Sequence, residues 1–262
     1  MMKTIPEHVR NSWRRRLLAG LLASPLLWLA LLSAGRQWPY PALLPLEWTP
    51  EHWSRLLTGR SDLAFSLFFS LGLSGGVAVL ITALSFGVSR AVAYHRRRRY
   101  WLLAAYLPYV FSPVILAACL QYFFLRANLA GAVAGVFVAQ VLITMPYGVI
   151  FFTNFWNGHI RSLEQLAYTL GSSRWQATLY VLWPAARGTL LTGFFQIFLI
   201  SWFEYGLTQL IGLGKAPTLT IKVFQYVQEA NLFYAALAGT LLALPPVVLL
   251  WINKRFVFSR ML

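Results

Sequence analysis

The stretch RSLEQLAYTLGSSRWQATLYVLWPAARG, residues 161–188, lies between two long apolar runs and is patterned as a folded unit of its own. Leu163, Leu166, Ala167 and Leu170 recur at i, i+3, i+4 and i+7, which places them on one face of a short helix. Ser162 and Gln165 have capping-box spacing at its start, and Gly171 suits the left-handed turn at its end. A second helix follows at once. Ser173 and Gln176 repeat the capping-box spacing, and Trp175, Leu179 and Leu182 make the next apolar stripe. Pro184, which lacks the N–H for a helical ladder, is expected to stop or kink it. A helix of eight or nine residues is marginal alone in water, so this apolar face needs a partner. Either the protein's own surface or another subunit can provide one.

Outward from this stretch the chain is lipid-like. Its 262 residues are 58% hydrophobic and 11% charged, against about 45–50% and about 25% in an ordinary soluble domain. A helix needs roughly 20 apolar residues to cross a hydrocarbon core of about 30 Å. Windows of that kind fall near residues 17–35, 63–89, 101–123, 129–153, 189–213 and 232–251. The expected fold is therefore all-α and polytopic, with six transmembrane helices in one domain, residues 1–262, and 161–188 as a cytoplasmic helical loop between spans four and five. Lipid-facing strands would alternate apolar and polar residues, and FFTNFW or LLALPPVVLLW do not. The first span is read as retained, because its apolar run is longer than a signal-peptide core and Leu32 spoils a small-residue cleavage site.

The basic residues set the direction, since short Lys/Arg-rich loops stay in the cytoplasm. With both termini inside, the inner segments carry Lys3, Arg10, Arg14–Arg16, Arg90, Arg96–Arg99, Arg161, Arg174, Arg187, Lys254, Arg255 and Arg260, sixteen in all. Arg36, Arg55, Arg60, Arg126, Lys215 and Lys222 make six outside. The net charge of +15 thus belongs to membrane topology and contact with anionic headgroups, and a nucleic-acid role is not supported. The outer segment, residues 36–62, reads as a proline-rich loop with a short interfacial helix bearing Trp48 and Trp53.

The run LEQLAYTLGSSRWQATLYVLWP resembles the EAA loop of binding-protein-dependent ABC importer permeases. Gly171 and Pro184 stand at that motif's glycine-to-proline spacing, Glu164 and Ala167 match its acidic and alanine positions, and Trp175 matches an aromatic position after the glycine. Gln165 replaces the second acid, Leu166 an alanine, and Trp183 the leucine before the proline. The topological likeness covers about residues 64–252, including Pro146, Tyr147 and SWFEYGLTQLIG. It implies a bacterial inner-membrane permease working with ATP-binding subunits, a second permease subunit (identical or homologous) and an extracytoplasmic solute-binding protein. It further implies that the helix pair docks on the ATP-binding subunit. Glu164 would then supply a charged contact, Ala167 a close approach and Gly171 the turn. FEYGLTQLIG followed by TLTIKVF is similar to permeases of the thiamine, iron and polyamine group, which implies a small solute of that kind.

The chemistry of hydrolysis is missing. IGLGKAPT, residues 211–218, lacks the spacing and hydroxyl residue of a phosphate-binding loop, so ATP and Mg belong to the partner and no cofactor is expected on this chain. His8, His52, His95 and His159 are scattered singly, so no metal site is expected, and Asp62 is the sole aspartate. Cys119, within span three, reads as a small buried apolar residue. No catalytic residues are assigned.

Glu204 is the acid inside a span, a costly placement that asks for a reason. One reading has it face the translocation path and a cationic substrate; the other has it hold a structural hydrogen bond. Gln196, Ser201 and Thr208 flank it as a polar stripe on span five, with Gln140 and Thr144 of span four placed to face them. Gly72, Gly75, Gly76, Gly131 and Gly135 are candidates for close helix approach, and Pro108, Pro113 and Pro146 for kinks. The rival classes are a secondary transporter or channel, which needs no ATPase, and a membrane-embedded enzyme, for which no catalytic cluster is present.

Overall fold

A computed structural model describes residues 20–21, 23–37, 45–58 and 61–256, without the side chains of Leu57 and of residues 253–256. In chain order its elements are α1 (Ala23–Ser33), β1 (Gly35–Gln37), β2 (Glu47–Trp48), α2 (Glu51–Leu57), α3 (Asp62–Tyr94) and α4 (Arg98–Tyr106). After a 3-10 turn at Leu107–Val110 come α5 (Pro113–Arg126), α6 (Val133–Thr153), α7 (Gly158–Thr169) and α8 (Arg174–Ala177). A π-type turn at Thr178–Leu182 leads into α9 (Trp183–Trp202), α10 (Gly206–Gly212), α11 (Leu219–Gln228) and α12 (Leu232–Phe256). The only strands among the described residues are the antiparallel pair β1–β2. The all-α, membrane-spanning expectation holds.

Among the described residues three helices are long and apolar enough to cross a bilayer: α3, α6 and α12 over Leu232–Ile252. At 33 residues α3 runs about 50 Å, well past the apolar core. Two further expected spans are broken. Span three bends by 94° between Leu107–Val110 and α5, and span five bends by 58° between α9 and α10. The first break follows from its prolines. Pro108 lies in the 3-10 turn, and Ser112, held extended at ψ 141°, precedes Pro113, as the steric clash with a following proline demands. Pro146 does not break α6, which runs unbroken from Val133 to Thr153. Residues 17–19 and 22 of the first expected span lie outside the described residues, as do His8, Arg14–Arg16 and Arg260. The α1 that is described is an apolar helix of less than spanning length.

The chain forms two compact units, residues up to 65 with 222–245, and residues 66–221 with 246 onward. In the first, the segment after α1 folds around His52 and Trp53. The indole N–H of Trp53 donates to Ser33 Oγ at 3.1 Å, His52 Nε2 lies 3.2 Å from the carbonyl oxygen of Gly35, and the His52 ring meets Tyr234 edge-on. Gly35 is obligatory, since a Cβ there would lie 2.7–2.8 Å from Pro45 and Phe233. Trp53 sits on α2 as expected of an interfacial helix; Trp48 lies on β2 instead.

In the second unit, Leu73, Ala117, Phe124, Val136, Ala139, Ile143, Leu207 and Ile211 pack α3, α5, α6 and α10 into one core. Close approach depends on glycines other than most of those expected. A Cβ on Gly148 would lie 2.3 Å from Ser85 Oγ, on Gly193 2.3 Å from Phe152, and on Gly206 2.4 Å from Val114. Gly72 and Gly75 face open space, Gly76 touches only Phe137, and Gly131 and Gly135 serve the turn into α6. Cys119 is exposed, a correction to its expected burial.

Candidate functional site

The helix pair is built as its spacing indicates, with one shift. Its first helix starts at Gly158, capped by Asn157, whose Oδ1 accepts from Ile160 N at 3.1 Å, so Ser162 is one turn inside and donates to the Gly158 carbonyl. Gly171, at φ +86°, ends it: Ser172 N–H donates to Ala167 O and Gly171 N–H to Tyr168 O, both at 3.0 Å, the double closure of a left-handed cap. Ser173 and Gln176 then form a reciprocal capping box, Ser173 N–H to Gln176 Oε1 at 2.8 Å and Gln176 N–H to Ser173 Oγ at 3.3 Å. Pro184 neither stops nor ends the second helix. Ahead of it the backbone widens, Trp183 N–H donating to Thr178 O five residues back, and the helix runs on from Arg174 to Trp202.

The apolar stripe divides between the two partners left open for it. Ile160, Glu164 and Ala167 are buried and Leu163 is half-buried, while Leu166 and Leu170 point out. Glu164 turns inward: only 5% exposed, it pairs with Arg90 of α3 and accepts from Tyr168 Oη at 2.7 Å. Its carboxylate is consumed inside this subunit and is not displayed as a charged contact. The same hydrogen bond pushes the Tyr168 phenol above its ordinary range. Ala167, also buried, presents no surface for an external approach. What the pair does display is apolar: Leu170 is 79% and Trp175 73% exposed, and Leu166, Leu179, Tyr180 and Trp183 are exposed too. Gln165 lies on the rim of a cleft shared with Arg161, Arg174 and Tyr94. Leu179 and Leu182, expected on one stripe, part company, for Leu182 packs with Trp156 and Ile160.

Glu204 lies in the break of span five, between α9 and α10. Its carboxylate accepts from Leu207 N (2.7 Å), Thr208 N (2.8 Å) and Thr208 Oγ1 (2.7 Å), capping α10. The Thr208 hydroxyl in turn accepts from Gln140 Nε2 at 2.9 Å, and Gln140 Oε1 accepts from Ser201 Oγ at 2.5 Å. Ser201, Gln140, Thr208 and Glu204 thus form one chain of hydrogen bonds tying α6 to both halves of the broken span. Gln140, Ser201 and Thr208 are buried, while Gln196 and Glu204 are half-buried. Thr144 Oγ1 bonds back to Gln140 O at 2.7 Å, and Gln196 Oε1 accepts from Tyr147 Oη at 2.5 Å, a second α6–α9 link. Tyr147 was legible as a site residue, since it continues Gln140 and Thr144 at i+7. Arg90, Ser89 and Trp156 carried no local signal. Among the described residues no group of three His, Cys, Asp or Glu side chains converges on a point.

Long apolar helices, two of the spans broken, and a capped helix pair beside the end of α3 make this a multi-pass membrane protein. The chain belongs to the family of binding-protein-dependent transport system inner membrane components, whose model matches residues 9–261. It is accordingly an ABC importer permease subunit, a multi-pass protein of the inner membrane. It is similar to the inner membrane ABC transporter permease protein YcjP of Escherichia coli, 25% identical over 228 residues, covering 84% of this chain and 81% of that one. The ferric transport system permease protein FbpB of Actinobacillus pleuropneumoniae is 23% identical over 231 residues, 79% of this chain but 33% of that longer protein. The crystal structure of a bacterial ABC transporter involved in the import of alginate shares the fold, with a TM-score of 0.70 at 14% identity over 98% of this chain and 100% of that one.

Proposed function

We propose that the helix pair at residues 158–183 is where a cytoplasmic ATP-binding subunit docks, and that this chain forms a translocation path with a second permease subunit fed by an extracytoplasmic solute-binding protein. The observation that carries the reading is the ridge of Leu166, Leu170, Trp175 and Leu179, exposed on a helix pair whose own backbone is fully capped. An aromatic and leucine ridge on a rigid scaffold is the form of a buried-on-assembly surface. Rigid attachment through α9 lets a push on the ridge reach the membrane helices. ATP and Mg are bound by the docked subunit, and this chain supplies no catalytic group or cofactor site. Gly171 and the Ser173–Gln176 box hold the ridge in shape, so their part is to position Leu170 and Trp175.

The solute is a small one of the thiamine, iron and polyamine group, with iron favoured by the likeness to a ferric permease. Selection rests with the binding protein and the path between the two permeases, because Glu204 spends its carboxylate on α10. The test is co-purification. The unaltered chain should bring down a nucleotide-binding ATPase in detergent, and Leu170→Asp with Trp175→Asp should lose it while retaining its own thermal transition. An ATPase retained by the doubly charged ridge would overturn the docking assignment.

A further inference from the structure

The helix pair is joined covalently only to α6 and α9, yet part of its buried face rests on α3. Phe86, Ser89, Arg90, Ala93 and Tyr94 recur at helical spacing along one side of α3 near its end. Phe86 packs on Trp156 with ring centroids 4.9 Å apart, and Phe86 and Ala93 join Trp156, Ile160 and Leu182 in one apolar cluster. Ser89 Oγ accepts from the Trp156 indole N–H at 2.9 Å. The Arg90 guanidinium lies 5.5 Å from the Trp156 ring centroid and pairs with Glu164, while Arg161 stacks 5.4 Å from the Tyr94 ring. Two neighbouring residues of α3 therefore hold the entrance to the helix pair and its middle at once.

We infer that the Arg90–Glu164 pair is the link that passes movement of the helix pair on to α3, making Glu164 a positioning residue inside this subunit and not a contact with the motor. The inference rests on the docking reading above. A helix moves as a rigid rod only if the push reaches it through contacts that do not slip, and apolar packing alone permits sliding where a paired charge fixes register. Arg90 is the cation that Glu164 meets; Arg161 and Arg174 share its cleft, and Tyr168 completes the carboxylate's hydrogen bonding. Neutralising Glu164 should leave the exposed ridge intact and cut the transmission.

The experiment uses the complex purified through this chain and placed in lipid nanodiscs. A nitroxide is attached at Gly72→Cys in a Cys119→Ser background, Gly72 being exposed on α3 with open space around it. Its spectrum is compared without nucleotide and with ATP plus vanadate. The parent should show a nucleotide-dependent change. In Glu164→Gln the ATPase subunit should remain bound while that change shrinks about tenfold, the scale of an ordinary coupling energy. Arg90→Glu combined with Glu164→Arg should restore it. Should Glu164→Gln fail to fold, Glu164→Asp, which keeps the charge and shortens its reach, should show the same loss. An undiminished change in Glu164→Gln, or a parent whose α3 does not respond, overturns the inference. Loss of the ATPase subunit from Glu164→Gln alone also overturns it, by making Glu164 a docking contact. Absence of an ATPase from every form, the parent included, brings down the docking reading and this inference with it.

Discussion

Replacing Gln140 with Leu keeps the volume of a buried side chain and deletes two hydrogen bonds, so it weighs the chain that ties α6 to the broken fifth span. Gln140 is 2% exposed, donates to Thr208 Oγ1 at 2.9 Å and accepts from Ser201 Oγ at 2.5 Å. Between membrane helices such bonds average about 0.6 kcal/mol, with a maximum near 1.7 kcal/mol. Two of them make the loss about 1–3 kcal/mol, because leucine regains little when lipid is as apolar as the core. The Thr208 hydroxyl keeps its bond to Glu204, so α10 should stay capped. The assay is reversible unfolding in bicelles of Gln140→Leu, Thr208→Val and the double variant, read as a double-mutant cycle. A coupling between the two sites of about 0.6 kcal/mol is expected. Thiol labelling at Ser201→Cys in a Cys119→Ser background completes the test, and should be slow in a site closed to water. Coupling indistinguishable from zero, together with fast labelling, would show that these side chains line a wet path and would refute the structural reading.

Gly193→Ala places a methyl group 2.3 Å from Phe152 and should cost about 1–3 kcal/mol in the same unfolding assay, whereas Gly72→Ala, facing open space, should be neutral or slightly stabilising. Glu204→Ala removes the acceptor for Leu207 N–H and Thr208 N–H and should cost about 0.5–2 kcal/mol, visible as faster amide exchange in α10. Tyr168 titrates above the ordinary phenol value of about 10 because it donates to Glu164. Its contribution is therefore complete below that ordinary value and lost as pH rises through the raised one, and Tyr168→Phe should remove one late-titrating component from the ultraviolet absorbance curve.

Local signals in the sequence were enough for local structure. The turn at Gly171 and the Ser173–Gln176 box needed only their own residues and stand as read. The right-angle break of span three was marked by Pro108 and Pro113, although its size was not. The break of span five carries no proline. Its mark was Glu204 itself, an acid three and four residues ahead of the N–H groups it caps, for which a structural hydrogen bond was one of the two readings. The surroundings of Glu164 were not legible for a different reason. Its partner Arg90 lies 74 residues away, and a charge in a loop looks exposed until the tertiary contact is known. Whether Leu166 and Leu170 meet this protein or another was open in the sequence, because periodicity identifies an apolar stripe without telling what covers it. That ambiguity is physical: Leu182 turns inward while Leu166 and Leu170 turn out, and both kinds of position are apolar.

The docking of a motor on the ridge is most directly tested by placing a photo-crosslinking phenylalanine at Trp175 and irradiating membranes that hold the assembled complex. A covalent product with an ATP-binding subunit, abolished by introducing Leu170→Asp, is the predicted result. Products confined to lipid or to this chain itself, in a complex shown to hydrolyse ATP, would contradict it.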